Sequence, residues 1–184
     1  MKKIIIHDTT LRDGNHAISH QLSSNSIESY CTIAERAGIP VVEVGHGNGL
    51  GASSLQVGFS KCTDEKMLLT ARNILKKTKL AVHVMPGFAT IKDDLTKAID
   101  IGVDIIRVGT HCTEADISKN FVEFSKKNGV KVYGALMMSH MVDKKELLKQ
   151  AKLFRRSIIF GCSSITFRAS SGLFLLLMAS RTPL

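Results

Sequence analysis

One unit recurs along this chain: a stretch with helical spacing, then a glycine, then a run of valine and isoleucine. It appears as "RAGIPVVEV" at 36–44, "DIGVDIIRV" at 100–108 and "KNGVKVYGA" at 127–135. A glycine between a helix and a strand is what a left-handed helix terminus requires, and short β-branched runs are what a doubly covered strand requires. Five such runs are present, "KIIIH" at 3–7, "PVVEV" at 40–44, "LAVHVM" at 80–85, "DIIRVG" at 104–109 and "VKVYGALM" at 130–137. Between them lie helical stripes: Ile27, Tyr30, Ala34 and Ala37; Met67, Leu68, Ala71, Ile74 and Leu75; Leu95, Ala98 and Ile99; Ile117, Phe121 and Phe124; Leu147, Leu148, Ala151 and Phe154. Parallel strands joined by right-handed helical crossovers are the common way to realise five βα units. The fold class is therefore α/β, either an open doubly wound sheet or part of a (β/α)8 barrel. No GxGxxG follows the first strand, which weighs against a dinucleotide-binding sheet.

Composition narrows the classes of function. Lysine and arginine outnumber the acids by nine, yet all sixteen acids lie at or before Glu146, and residues 147–184 carry six basic residues and none. The first 146 residues thus hold a net charge of only +3, and no basic patch interleaved with aromatics marks a nucleic-acid surface. The four cysteines, Cys31, Cys62, Cys112 and Cys162, form no CxxC pair, so a reduced, cytoplasmic protein without a structural zinc is expected. The longest apolar stretch, "LFLLLMA" at 173–179, is too short for a membrane span, and "MKKIIIHDTT" is no signal peptide.

In either α/β architecture, function collects where strands end. Asp8, Arg12, Asp13 and His16 follow the first strand, "GHGNG" at 45–49 the second, "GTHCTEAD" at 109–116 the fourth and "MMSHM" at 137–141 the fifth. Aspartate and histidine suit Mn²⁺, Mg²⁺ or Zn²⁺, and an arginine fork can hold a carboxylate and neutralise an enolate. Such a set suits cleavage of a carbon–carbon bond next to a ketone. Read blandly, Arg12 and Asp13 are an ion pair closing the end of the sheet, and His7 and His83 are core histidines.

The stretch "DTTLRDGNHAISHQ" at 8–21 resembles the first-strand signature of the metal-dependent 4-hydroxy-2-oxovalerate aldolases, within the wider barrel group of hydroxymethylglutaryl-CoA lyase and isopropylmalate synthase. "GHGNGLGASSLQVGF" at 45–59, "ATIKDDLTKAIDIGVDIIRVGTHCTEADISK" at 89–119 and "ALMMSHM" at 135–141 resemble the aldolases in particular, and the likeness is nearly continuous from about residue 3 to 154. It implies the first five to six βα units of a (β/α)8 TIM barrel, incomplete, over residues 1–154, with a divergent segment over 155–184. It implies cleavage of 4-hydroxy-2-oxovalerate to pyruvate and acetaldehyde, a step in aromatic hydrocarbon catabolism. Arg12 matches the arginine that stabilises the transition state and binds substrate, Asp13 a metal ligand that also contacts substrate, and His16 the base for the 4-hydroxyl. Ser170 matches a substrate-binding serine. The resemblance further implies Mn²⁺ as metal, a small 2-oxo acid as substrate and an acylating acetaldehyde dehydrogenase as partner. His20, His46, His111 and His140 sit in similar motifs, and packing or outer hydrogen bonding is expected of them.

The pattern breaks late in the chain. The His-x-His pair that supplies the family's other metal ligands is absent, and Ala169 stands where the family has an acid before Ser170. A full barrel needs about 250 residues. A truncated or frame-disrupted chain is therefore expected, one that self-associates through an unfinished sheet edge and has little or no aldolase activity alone. A Claisen-type synthase or acyl-CoA lyase of the same group, or a non-catalytic barrel remnant, are the alternatives.

Overall fold

The computed structural model describes residues 5–157 together with the backbone of 164–168 and 174–178. The chain divides into two compact units, Met1–Ile106 and Arg107–Leu184.

The first unit alternates strand and helix as the glycine punctuation demands. Strands β1 (His7–Asp8), β2 (Val41–Glu43) and β3 (Lys79–Val84) pair in parallel, with His7 opposite Val41 and Val42 opposite Leu80. Only the first two residues of strand β4 (Ile105–His111) belong to this unit; just before them the Asp104 N–H donates to the Leu80 carbonyl at 2.9 Å. Helix α1 (Ser24–Ala37) starts on the Ser23 hydroxyl, which accepts from the Ser26 N–H, and ends at Gly38 in the left-handed region. Helix α2 (Asp64–Ile74) starts in the same way on Thr63. Helix α3 (Thr96–Ile101) follows a π-helical turn over Ile91–Leu95 and ends at Gly102, also left-handed. The core beneath these helices is made of Ile27, Cys31, Met67, Leu68, Leu75, Leu80 and Val82, all fully buried.

In the second unit, α4 (Lys119–Lys127) leads to β5 (Lys131–Met137), and α5 (Lys144–Ser157) follows. Phe154 of α5 seats its ring directly on Gly134, a position in β5 where a side chain would collide with it. Strand β6 (Ser164–Arg168) continues the parallel order beside β5, and β7 (Phe174–Met178) returns antiparallel along β6.

The element order is that of the N-terminal βα units of a TIM barrel, as expected, with four local corrections. Of the strand expected over 3–7, residues 3 and 4 lie outside the described residues, and within the rest the strand is His7–Asp8 while Ile5 and Ile6 are exposed. Residue 6 would face Pro40, which has no N–H to extend the ladder. In α1 the buried stripe is Ile27, Cys31 and Ala34, and Ala37 is exposed, because the stripe follows i, i+4, i+7 spacing. Ile117 is exposed because it belongs to a 3₁₀ turn over Ala115–Ser118, so the buried residues of α4 are Val122 and Ser125. In α5 the buried position beside Phe154 is Gln150 and not Leu148; its amide accepts from the Ala115 N–H and donates to Glu146, which satisfies it below the surface.

Candidate functional site

The loop that follows β1 is built by Asp8. One carboxylate oxygen accepts from the Thr10 N–H at 2.9 Å and the other from the Tyr30 hydroxyl at 2.6 Å. Asp8 is thus consumed in fixing the turn, after which a 3₁₀ helix runs over Asp13–Ile18. Burial pushes the Tyr30 phenol up, and its bond to Asp8 acts in the same direction.

Arg12 lies at the centre. Its Nε donates to Glu43 Oε1 at 2.7 Å, and one terminal nitrogen donates to Asp13 Oδ1 at 2.7 Å and to the Gly47 carbonyl at 3.2 Å. The second oxygen of Glu43 meets His7 Nε2 at 3.1 Å, and neither the His7 nor the Glu43 side chain reaches solvent. A carboxylate in a β-branched strand must be paired, and here two β1-side groups pair it. The Arg12 side chain is 12% exposed and that of Asp13 49%, so the guanidinium is anchored on buried Glu43 while its Asp13 partner reaches solvent. Arg12 and Asp13 therefore are the ion pair of the bland reading, and that pair faces outward at the end of β1. His7 is buried as expected, but only half satisfied: its Nδ1 has no hydrogen-bond partner.

Three histidines gather beside this network. The face of the His16 ring lies on Gly47, where a Cβ would stand 2.5 Å from its Cε1 and Nε2. His20 meets His16 edge-on, with centroids 5.0 Å apart, and stacks on His46 at 3.7 Å and 19°. His46 Nδ1 accepts from the Asn48 N–H at 3.0 Å and its Nε2 meets the Gly58 carbonyl at 3.1 Å, which fits the neutral ring with its proton on Nε2. Burial holds the His20 pKa below the ordinary histidine value, and His46 and His16 push it the same way. His16 itself is exposed.

Asn15, buried, donates to the Gly45 carbonyl at 3.1 Å and clips the β1 loop to the β2 loop, while its Oδ1 has no partner. Asp64, at the start of α2, accepts from the Gly51 N–H at 2.8 Å; burial raises its pKa, and Asp94 adds to the rise.

The structure thus brings Arg12, Asp13 and His16 together with His20 and His46. His111 and His140 belong to the second unit, where His111 Nδ1 is 2.8 Å from the Thr113 hydroxyl and His140 is exposed. Ser170 lies outside the described residues. Sequence reasoning missed Glu43, whose signal was a lone acid inside "PVVEV", and also Asn15 and Gly47. As for a metal, Asp13 offers one oxygen not already taken by Arg12, and no group of three or more His, Cys, Asp or Glu side chains is placed to hold an ion among the described residues. One carboxylate does not make a Mn²⁺ site, so these residues alone do not fit the metal and no chemical step is assigned to it. Nor is any helix among the described residues long and apolar enough to cross a membrane.

The HMGL-like family matches residues 3–179. The chain is similar to a 4-hydroxy-2-oxovalerate aldolase of Spirochaeta aurantia, 51% identical over 178 residues, which are 97% of this chain and 51% of that protein. It is similar to one of Pectobacterium atrosepticum, 49% identical over 171 residues, 93% of this chain and 49% of that protein. The chain spans about half the length of the curated relatives it matches. Among solved structures, the N-terminal domain of a protein from Bacteroides vulgatus is alike with a TM-score of 0.67 at 22% identity, over 84% of this chain and 52% of that one. The carboxyl transferase domain of Rhizobium etli pyruvate carboxylase, solved with pyruvate and biocytin, gives 0.67 at 15% identity over 85% of this chain and 29% of that one. At these identities the likeness is one of fold.

Proposed function

The chain belongs to the HMGL-like family, and from that premise we propose that it is a carbon–carbon lyase of the aldolase kind, cleaving 4-hydroxy-2-oxovalerate to pyruvate and acetaldehyde. The observation that carries this reading is the guanidinium of Arg12, anchored on buried Glu43 and bonded to Asp13, with the exposed ring of His16 seated on Gly47, whose carbonyl accepts from the same guanidinium. Relatives bearing the aldolase name at 46–51% identity support the substrate.

In the proposed reaction His16 takes the proton of the 4-hydroxyl. The C3–C4 bond breaks, acetaldehyde leaves, and the electron pair passes through C3 to the C2 carbonyl, giving the enolate of pyruvate. Arg12 holds that enolate oxygen and the substrate carboxylate, and protonation at C3 yields pyruvate. Asp13 contacts substrate and would supply one of the several ligands that Mn²⁺, the metal of this reading, needs. Ser170 is assigned to substrate binding. Residues 1–154 form the five βα units that carry the site, and 155–184 a divergent segment. We assign the acetaldehyde to an acylating acetaldehyde dehydrogenase partner and the step to aromatic hydrocarbon catabolism. The protein is placed in the cytoplasm, in keeping with the free cysteines Cys31, Cys62 and Cys112.

The test supplies the complementary half of the Spirochaeta aurantia relative in one polypeptide with this chain, and follows pyruvate release through lactate dehydrogenase with Mn²⁺ present. The joined protein should release pyruvate, and R12A should lower kcat by roughly 10²–10³-fold, the range for a lost oxyanion donor. H16A should cost roughly 10²–10⁴-fold, the range for a lost general base. A folded, joined protein that releases no pyruvate, or that splits only an acyl-CoA, would overturn the reading.

A further inference from the structure

His20 has no role in the proposed reaction, yet the structure spends unusual geometry on it. Ser19 and His20 both sit in the left-handed region, with φ of 50° and 61°, a conformation that two successive non-glycine residues rarely adopt. Strain of this sort persists where surrounding contacts enforce it. Here His20 is 6% exposed, flat on His46 at 3.7 Å and T-shaped to the His16 ring at 5.0 Å. Its Nδ1 accepts from the Gly47 N–H at 3.4 Å, and the ring also hydrogen-bonds the Val57 backbone. Gly58, itself at φ +99°, leaves room for the ring, since a Cβ there would stand 2.9 Å from His20 Cδ2.

Gly47 is the link. The residue that donates to His20 is the one on which the His16 ring rests, and its carbonyl accepts from Arg12. We propose that His20 is a positioning residue for the His16 base: clamped between His46 and Gly47, it fixes both the edge against which the His16 ring stands and the height of the backbone floor beneath it. His46 takes part as the slab behind His20, held by its own bonds to Asn48 and Gly58. Two neutral rings can stack in this way, whereas a pair of imidazolium ions would repel. This inference rests on the assignment of His16 as the base.

Two variants separate positioning from mere packing. H20F keeps a flat ring on His46 and loses the acceptor for Gly47; H20N gives up the ring and keeps an acceptor where Nδ1 stood. In the joined aldolase described above, H20F should lower kcat at least tenfold with KM within about twofold of the parent, and H20N should recover a substantial part of the loss. Loss of kcat and KM in proportion to lost melting temperature, alike in both variants, would overturn the proposal, and so would H20F activity within twofold of the parent. A second readout uses this chain alone. The ¹⁵N signals of the His16 ring, assigned through H16Q, should show a changed tautomer ratio in H20F and a near-parental one in H20N. An unchanged His16 ratio in H20F sinks the positioning role even if the joined protein is active. A changed ratio in a joined protein that releases no pyruvate would retain the positioning and remove the aldolase reading.

Discussion

The two ends of the strands in the first unit treat their charged groups in opposite ways. Where the strands begin, carboxylates are saturated. Asp104 accepts from Arg72 at 2.9 Å, Lys79 at 2.8 Å and the Leu80 N–H at 3.0 Å, and Glu35 accepts from the Lys77 and Thr78 N–H groups at 2.8 and 3.0 Å. Beyond the strand ends, buried polar atoms are left over: Asn15 Oδ1 and Asp64 Oδ1 have no partner. A fold that satisfies its polar groups at one end and neglects them at the other gives up local stability where ligands arrive. The start of the sheet is built to hold, and its end is where the proposed reading puts binding.

Breaking that contrast should have its largest effect at Glu43. Removing it in E43A leaves Arg12 without its buried counter-charge and His7 without its hydrogen-bond partner, a loss of about 3–5 kcal/mol by the usual cost of stripping a buried pair. Urea denaturation of the chain measures it, and a loss below about 1 kcal/mol would mean that the Arg12 anchor is not a structural element. The matching deletion at the other end, D104A, should cost only about 1 kcal/mol, because its partners are solvent-screened and can rehydrate.

The two ends should also separate by pH. The pKa of Asp104 is lowered although burial alone would raise it, because bonds from Lys79, the Leu80 N–H and Arg72 outweigh burial; that of Glu35 is lowered by the Thr78 and Lys77 N–H groups. A depressed folded pKa means the unfolded chain binds protons first, so this stabilisation is present above about pH 4 and is lost as pH falls through the lower folded values. His20 is depressed as well, and as a base it acts in a higher window. Below its unfolded value of about 6.5 the unfolded state gains the proton first, and stability falls with pH until the folded ring also titrates. Melting temperature against pH should therefore show an upper slope absent in H20F and a lower slope reduced in D104N; an upper slope surviving in H20F would assign it elsewhere. The smallest effect is kinetic. Burial pushes the Cys31 thiol up to about 12, with Asp8 adding to the rise, so at pH 8 iodoacetamide should label half-buried Cys62 well before Cys31.

The same contrast explains what could be read in advance. The strand–helix order was legible because burial on both faces imposes unbroken β-branched runs, and because Gly38 and Gly102 mark helix ends that other residues would strain. Arg12, Asp13 and His16 were legible as a group because they are adjacent in sequence. Glu43 was hidden inside a strand, thirty-one residues from Arg12, and only pairing in space reveals it. The extent of β1 was misjudged because hydrophobicity says nothing about a proline on the neighbouring strand. The αL pair at Ser19–His20 carries no glycine or asparagine to announce it.

The position of Gly47 carries one last implication, for anyone who would re-engineer this pocket. Its amide, its carbonyl and its bare α-carbon are each claimed by a different side chain. Randomising residue 47 in a library should return the parent codon almost exclusively, since even a methyl group there would evict an imidazole without unravelling the scaffold. Efforts to alter selectivity are better spent on neighbours whose main chain is not so heavily subscribed.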